Sequence, residues 1–135
     1  MATALRPDDY RVLATFRHAL RVFLRMSEDA ARAAGLTPAQ HQLLLAVKGA
    51  PHDGPPSISD VAAQLQQRVH SVVELAGRAQ AAGLLERHAD PTDGRRQLLA
   101  LTRRGEEKLA ALSLMHRDEL RRFRREMAAI LRELD

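Results

Sequence analysis

The sequence predicts a mainly α-helical fold with one small β-hairpin: a helix-turn-helix lobe with a two-stranded wing, flanked by a long helix at each end. Three observations predict it. Apolar residues recur at helical spacing near both ends of the chain. Two short helical patterns separated by a few polar residues lie in the middle. A stretch rich in Pro and Asp-Gly then separates two short apolar-biased segments. The 135 residues suit a single domain over 1–135 with one modest core, or one protomer of an oligomer.

From Asp8 to Ala34, Leu13, Phe16, Leu20 and Phe23 share a stripe while Arg11, Arg17, Arg21, Arg25 and Arg32 fall mostly elsewhere, which predicts a first helix ended by Gly35. Thr37-Pro38-Ala39-Gln40 then has the chemistry of a helix start: Thr37 caps, Pro38 suits the first helical position, and Gln40 reaches back to the cap. The second helix is expected from Pro38 to about Lys48. Gly49 to Pro56 holds two glycines and three prolines and reads as a loop, too short to separate two cores. Irregular chain is otherwise expected only at the first few residues.

Ser57-Ile58 is expected as a short strand, followed by Ser59 capping a brief helix from Asp60 to Leu65. Val69 to Ala82 reads as another helix, with Val72, Val73, Leu75 and Ala76 toward the core and Gly83 at its end. Leu84 to His88 and Gln97 to Leu101 flank Asp90-Pro91-Thr92-Asp93-Gly94, whose composition is that of a hairpin tip. Thr102 caps a final helix that continues to the end of the chain. Within it Leu109, Ser113, His116, Leu120, Phe123, Met127, Ile130 and Leu134 are spaced alternately by four and three, the seam of a helix seeking a partner helix. Such a seam packs either within its own chain or against a second copy. The dimer is the preferred reading, because so short a chain has little else to cover an apolar stripe at each end.

Composition excludes several function classes. Without cysteine there is no disulfide framework, thiolate metal site, iron–sulfur cluster or cysteine nucleophile. No apolar run exceeds the five residues of Leu43 to Val47, far too few to cross a bilayer, and the first residues lack the apolar region of a secretory signal; a soluble cytoplasmic protein without membrane attachment is expected. Catalytic signatures are missing as well: no glycine-rich phosphate loop, G-x-S-x-G or H-E-x-x-H occurs. Asp8-Asp9 and Glu106-Glu107 lie at helix starts, where carboxylates favour the dipole. No enzyme activity and no cofactor are expected. The formal charge is only +4, yet the 21 basic residues are arginines except for Lys48 and Lys108. Seven of those arginines fall between Arg68 and Arg104 against four acids, whereas the arginines of the last helix are interleaved with acids.

The stretches Asp60-Val-Ala-Ala-Gln-Leu65, Ser71-Val72, Arg78, Gly83-Leu84-Leu85-Glu86-Arg87 and Asp90-Pro91-Thr92-Asp93-Gly94-Arg95-Arg96, then Leu101-Thr102-Arg103-Arg104-Gly105, together resemble the MarR family of winged helix-turn-helix transcriptional regulators. Leu36-Thr37-Pro38 with His41 and Leu44 resembles that family's second-helix opening. The resemblance implies a homodimer whose terminal helices, 8–34 and 103–135, form a dimerisation body. It implies a lobe at 36–102, with the first helix at 60–66, the recognition helix at 69–82 and the wing at 84–101. It further implies a sequence-specific regulator, usually a repressor, that binds a pseudo-palindromic double-stranded operator and releases it when a small effector enters between lobe and body. Gly77 and Ala79 depart from the acidic and large apolar residues typical of the family.

Placed on that motif, Gln67, Arg68, His70 and Ser71 are candidates for phosphates or base edges, because a helix start offers amides to phosphate and Arg or His donates to guanine. Glu74 either accepts from a cytosine amine or repels phosphate. Arg78 either reaches a phosphate or holds the lobe together by an ion pair. Arg95 at the hairpin tip suits a narrow minor groove, with Asp93 holding it extended and Arg96 beside it as a second candidate. The dimer contacts are expected from Leu13, Phe16, Leu20, Leu120, Phe123, Met127, Ile130 and Leu134. Arg17, His18 and His41 are candidates to line an effector pocket for an organic anion. His41 and His116 fall where zinc-sensing relatives place ligands, but no histidine pair has i, i+4 spacing and no cysteine assists, so no metal is expected. The alternative function is a winged-helix module for protein association, without DNA binding, whose wing arginines serve acidic partners.

Overall fold

The computed structural model describes residues 4–51 and 53–134, so the expected irregularity of the first three residues lies outside them. Among the described residues the elements run α1 (Pro7–Ala33), α2 (Pro38–Lys48), α3 (Ile58–Leu65), α4 (Val69–Ala81), β1 (Leu85–Ala89), β2 (Gln97–Leu101) and α5 (Arg103–Leu131). The fold is mainly α with one two-stranded antiparallel sheet.

Local chemistry accounts for the helix boundaries. At α1, Pro7 takes a first-turn position and Asp9 Oδ2 accepts from the Arg6 amide at 2.9 Å. Gly35, at φ +81°, turns the chain out of α1 in the left-handed region that a glycine enters without a Cβ penalty. At α2 the capping box forms in both directions: the Gln40 amide donates to Thr37 Oγ1 at 3.1 Å and the Thr37 amide to Gln40 Oε1 at 3.0 Å.

The start of α3 differs from expectation. Ser57, not Ser59, is the cap, and Ile58 is already helical. The reason is a second capping box, in which the Asp60 amide donates to Ser57 Oγ at 3.1 Å and the Ser57 amide to Asp60 Oδ2 at 3.0 Å. The expected strand at Ser57-Ile58 shrinks to one bridge from Ser57 to Leu98, beside a Leu99 amide bond to the Pro56 carbonyl at 2.9 Å. Between α3 and α4, Gln66 adopts φ 54°, ψ 44°, which makes the turn tight enough for two short helices to share one core.

That core is formed by Leu43, Leu44 and Val47 of α2, Val61 and Ala62 of α3, Val72, Ala76 and Ala79 of α4, and Leu84, Leu85, Leu99, Leu109 and Leu112. Burial of each Leu or Val contributes on the order of 2 kcal/mol before the cost of ordering the chain. Strand register runs from Leu85 opposite Leu101 to Ala89 opposite Gln97. Thr102 then fastens the wing to α5: its Oγ1 accepts from the Gly105 amide at 3.1 Å and donates to the Gly83 carbonyl at 2.6 Å. Gly105 is required there, because a Cβ would fall on the Leu84 carbonyl oxygen.

The long helices α1 and α5 pack antiparallel on each other, which corrects the assignment of part of the predicted seam. Phe123 lies 5.0 Å from Phe23, ring to ring, and Met127 and Val12 are buried. Phe123 and Met127 are therefore covered by the chain's own α1, and Ile130 is half-buried. Phe16 and Leu20 are half-buried also, while Leu13, Leu120 and Leu134 remain exposed. Tyr10 and Leu24, absent from the predicted seam, are exposed with them. Tyr10, Leu13, Leu20 and Leu24 fall on one side of α1 by their spacing.

Candidate nucleic-acid interface

Helix α4 turns Val72, Ala76 and Ala79 into the core. Gln67, Arg68, His70, Glu74 and Arg78 are all exposed, whereas Ser71 is half-buried on the flank. Among the described residues the side chains of Arg68, His70, Glu74 and Arg78 have no ion-pair or hydrogen-bond partner. Arg78 thus does not hold the lobe together by an ion pair within this chain. Arg68 is the N-cap and makes no side-chain cap bond, so the leading amides of α4 lack a side-chain acceptor and are open to an anion.

Two residues assigned to other roles, or to none, belong to this outer face. Val73, expected in the core, is 39% exposed, and Val69 is 49% exposed. A hydrophobic pattern cannot distinguish them from buried valines; only the rotation of α4, fixed by Val72, Ala76 and Ala79, does. Gly77 lies on the same side by its spacing, and a Cβ there would meet nothing within 4 Å.

The wing tip is ordered by two aspartates. Asp90 Oδ1 accepts from both the amide and the hydroxyl of Thr92 at 2.8 Å, an Asx turn. These bonds hold the Asp90 carboxyl below the usual carboxylate pKa, with the Arg96 charge adding to the effect. Asp93 Oδ1 accepts from the Arg95 amide at 3.1 Å and from Arg95 Nε at 3.4 Å. The Arg95 side chain is nevertheless 95% exposed, so its guanidinium stands clear of the tip with one edge steadied.

Arg96 has a different environment. Its guanidinium lies 3.6 Å from Asp60 Oδ2 and 3.6 Å from Asp90 Oδ2. It joins the capping carboxylate of α3 to the base of the hairpin tip, and so sets the position of the wing against the helix-turn-helix. At the other side, Arg87 Nε donates to Gln80 Oε1 at 2.7 Å and ties β1 to the last turn of α4.

The candidate effector residues separate. His41 is buried and lines a cavity of about 410 Å³ with Phe23, Leu24, Leu45, His116 and Arg117. Arg17 and His18 are exposed on α1 and do not line it. The His41 and His116 rings are 5.0 Å apart. His116 Nδ1 lies 2.7 Å from the Leu112 carbonyl, which can only accept, so Nδ1 carries the donated proton, while Nε2 pairs with the Ser27 hydroxyl at 2.7 Å. His41 has its pKa lowered, first by burial and then by the neighbouring His116. Among the described residues no group of three or more His, Cys, Asp or Glu is arranged to hold a metal ion, and no helix is long and apolar enough to cross a membrane.

A sequence model of the MarR family matches residues 34–96. Among solved structures, a MarR family transcription regulator is similar with TM-score 0.73 and 25% identity, over 84% of this chain and 74% of that one. AbsC, a MarR family transcriptional regulator from Streptomyces coelicolor, is similar with TM-score 0.75 and 21% identity, over 90% and 82% of the two chains. A mutant of S. aureus MepR bound to an oligodeoxyribonucleotide is similar with TM-score 0.69 and 20% identity, over 89% and 95%. No curated protein matches significantly.

Proposed function

We propose that the chain, whose lobe matches the MarR family model and whose described fold is like that of MarR regulators, is a homodimeric, ligand-responsive repressor binding a pseudo-palindromic operator. The observation that carries the DNA reading is the exposed, partner-free outer face of α4 together with the 95% exposed Arg95 guanidinium on an ordered hairpin tip. A helix of this kind enters the major groove and a thin hairpin delivers its arginine to the adjacent minor groove, where narrow A·T-rich DNA concentrates negative potential. The fold of the DNA-bound MepR mutant supports the same reading.

Exposed Tyr10, Leu13 and Leu120 on α1 and α5 support dimerisation, and a dimer would present its two lobes to half-sites about 10 bp apart. The cavity beside His41 and His116 is the effector site of this proposal, with apolar walls and Arg117 for an organic anion. Sequencing the duplex fragments retained by the purified protein tests the reading. Retention of specific fragments at moderate salt, released as salt rises and lost on Arg95→Ala, is the expected result. A protein that retains no fragment above random DNA and instead captures an acidic protein partner is a winged-helix association module.

A further inference from the structure

The outer face of α4 has an unusual composition for a surface destined for DNA. One flank of it holds two exposed valines, Val69 and Val73, one helical turn apart, with the partner-free Glu74 nearer its centre. The positive charge sits at the edges: Arg68 at the N-cap and Arg78 nearly three turns on, with Arg95 on the wing. A carboxylate among phosphates would be repelled, so the centre of this face suits base edges and its rim suits the backbone. In the major groove an apolar side chain has one partner that distinguishes a base pair, the 5-methyl group of thymine.

We propose that Val69 and Val73 are specificity-determining residues that read thymine methyl groups in each half-site. The inference rests on the DNA-binding reading above and names what that site recognises. Side chains at i and i+4 have Cβ atoms about 5–6 Å apart, against about 3.4 Å per base pair, so the two thymines lie within about two base pairs of each other. Gly77, one turn beyond Val73, carries no side chain to hold the groove floor away. Burying one methyl against one valine accounts for about fourfold in affinity, the equivalent of about 0.8 kcal/mol.

The test replaces thymines of the best retained fragment one at a time with deoxyuridine, which removes only the methyl group. Wild-type protein is expected to bind about fourfold more weakly at two positions per half-site, within two base pairs of each other. Val69→Ala is expected to abolish the effect at one position and Val73→Ala at the other, with unchanged melting temperature because both valines are exposed. Specific binding with no deoxyuridine-sensitive position overturns the proposal and leaves the DNA-binding reading standing. So does sensitivity that both alanine variants retain. Absence of any specific binding overturns both.

Discussion

Arg96 and Asp60 face each other at 3.6 Å across the junction between the wing and the helix-turn-helix. Asp60 Oδ2 also accepts from the Ser57 amide that opens α3, so one carboxylate oxygen both starts a helix and anchors a hairpin. Adjacent arginines thereby acquire different tasks: Arg96 sets where the wing stands, and Arg95, steadied along one edge by Asp93, projects from its tip.

That division predicts two kinds of defect. Arg95→Ala should leave the melting temperature unchanged, weaken operator binding, and reduce the slope of log affinity against log salt by about one per half-site. Arg96→Ala should cost at most about 1 kcal/mol of stability, because the pair is half-exposed and screened, while speeding amide exchange in the hairpin. Equal effects of the two substitutions on both readouts would remove the distinction.

Two glycines should respond in opposite ways to alanine. Gly105→Ala drives a methyl into the Leu84 carbonyl and should cost about 1–3 kcal/mol, as overpacking does. Gly77→Ala meets open space and removes a mid-helix glycine, so it should stabilise by up to about 1 kcal/mol. Thermal melts of the two variants check both signs.

The terminal helices offer a second pair of contrasts. Met127→Ala opens a cavity between α5 and α1 and should destabilise by about 2 kcal/mol or more. Leu13→Glu and Leu120→Glu place charge on exposed positions and should instead shift the protein from dimer to monomer in sedimentation, with secondary structure retained. A wild-type monomer at micromolar concentration would contradict the dimer.

His41 gives stability a pH dependence of known sign. Its folded-state pKa lies below the ordinary 6.5 because burial, and then the charge on His116, disfavour the imidazolium. The unfolded chain therefore binds a proton that the folded chain resists. This contribution is fully present above about pH 6.5 and is lost as pH falls below it. Melting temperature should drop through that range, and His41→Gln should flatten part of the drop.

Much of the fold is legible in the sequence because its signals are local. The Thr37-Pro38-Ala39-Gln40 box, Gly35 and Gly83 as stops, and the Asp-Gly tip each act within about four residues, so periodicity and capping rules place α2, α4 and the hairpin. The start of α3 was less legible because Ser57 and Ser59 are both competent caps. Only Asp60, three residues after Ser57, reciprocates the bond. The assignment of Val73 to the core and the undivided seam of the last helix went astray for another reason. Helical spacing says which residues share a face, not what that face meets.

By itself the sequence determined a mainly helical lobe with a wing, the placement of Asp93 and Arg95 at its tip, and the MarR resemblance. Tertiary structure decided further that Arg96 is held by Asp60 and Asp90, that Phe123 and Met127 pack against α1, that Val69 and Val73 are exposed, and that His41 and His116 share a cavity. Each of these depends on contacts between segments distant along the chain. Their geometry is fixed only when the helices pack, since a side chain's surroundings, unlike its helical phase, are set by the elements that close over it.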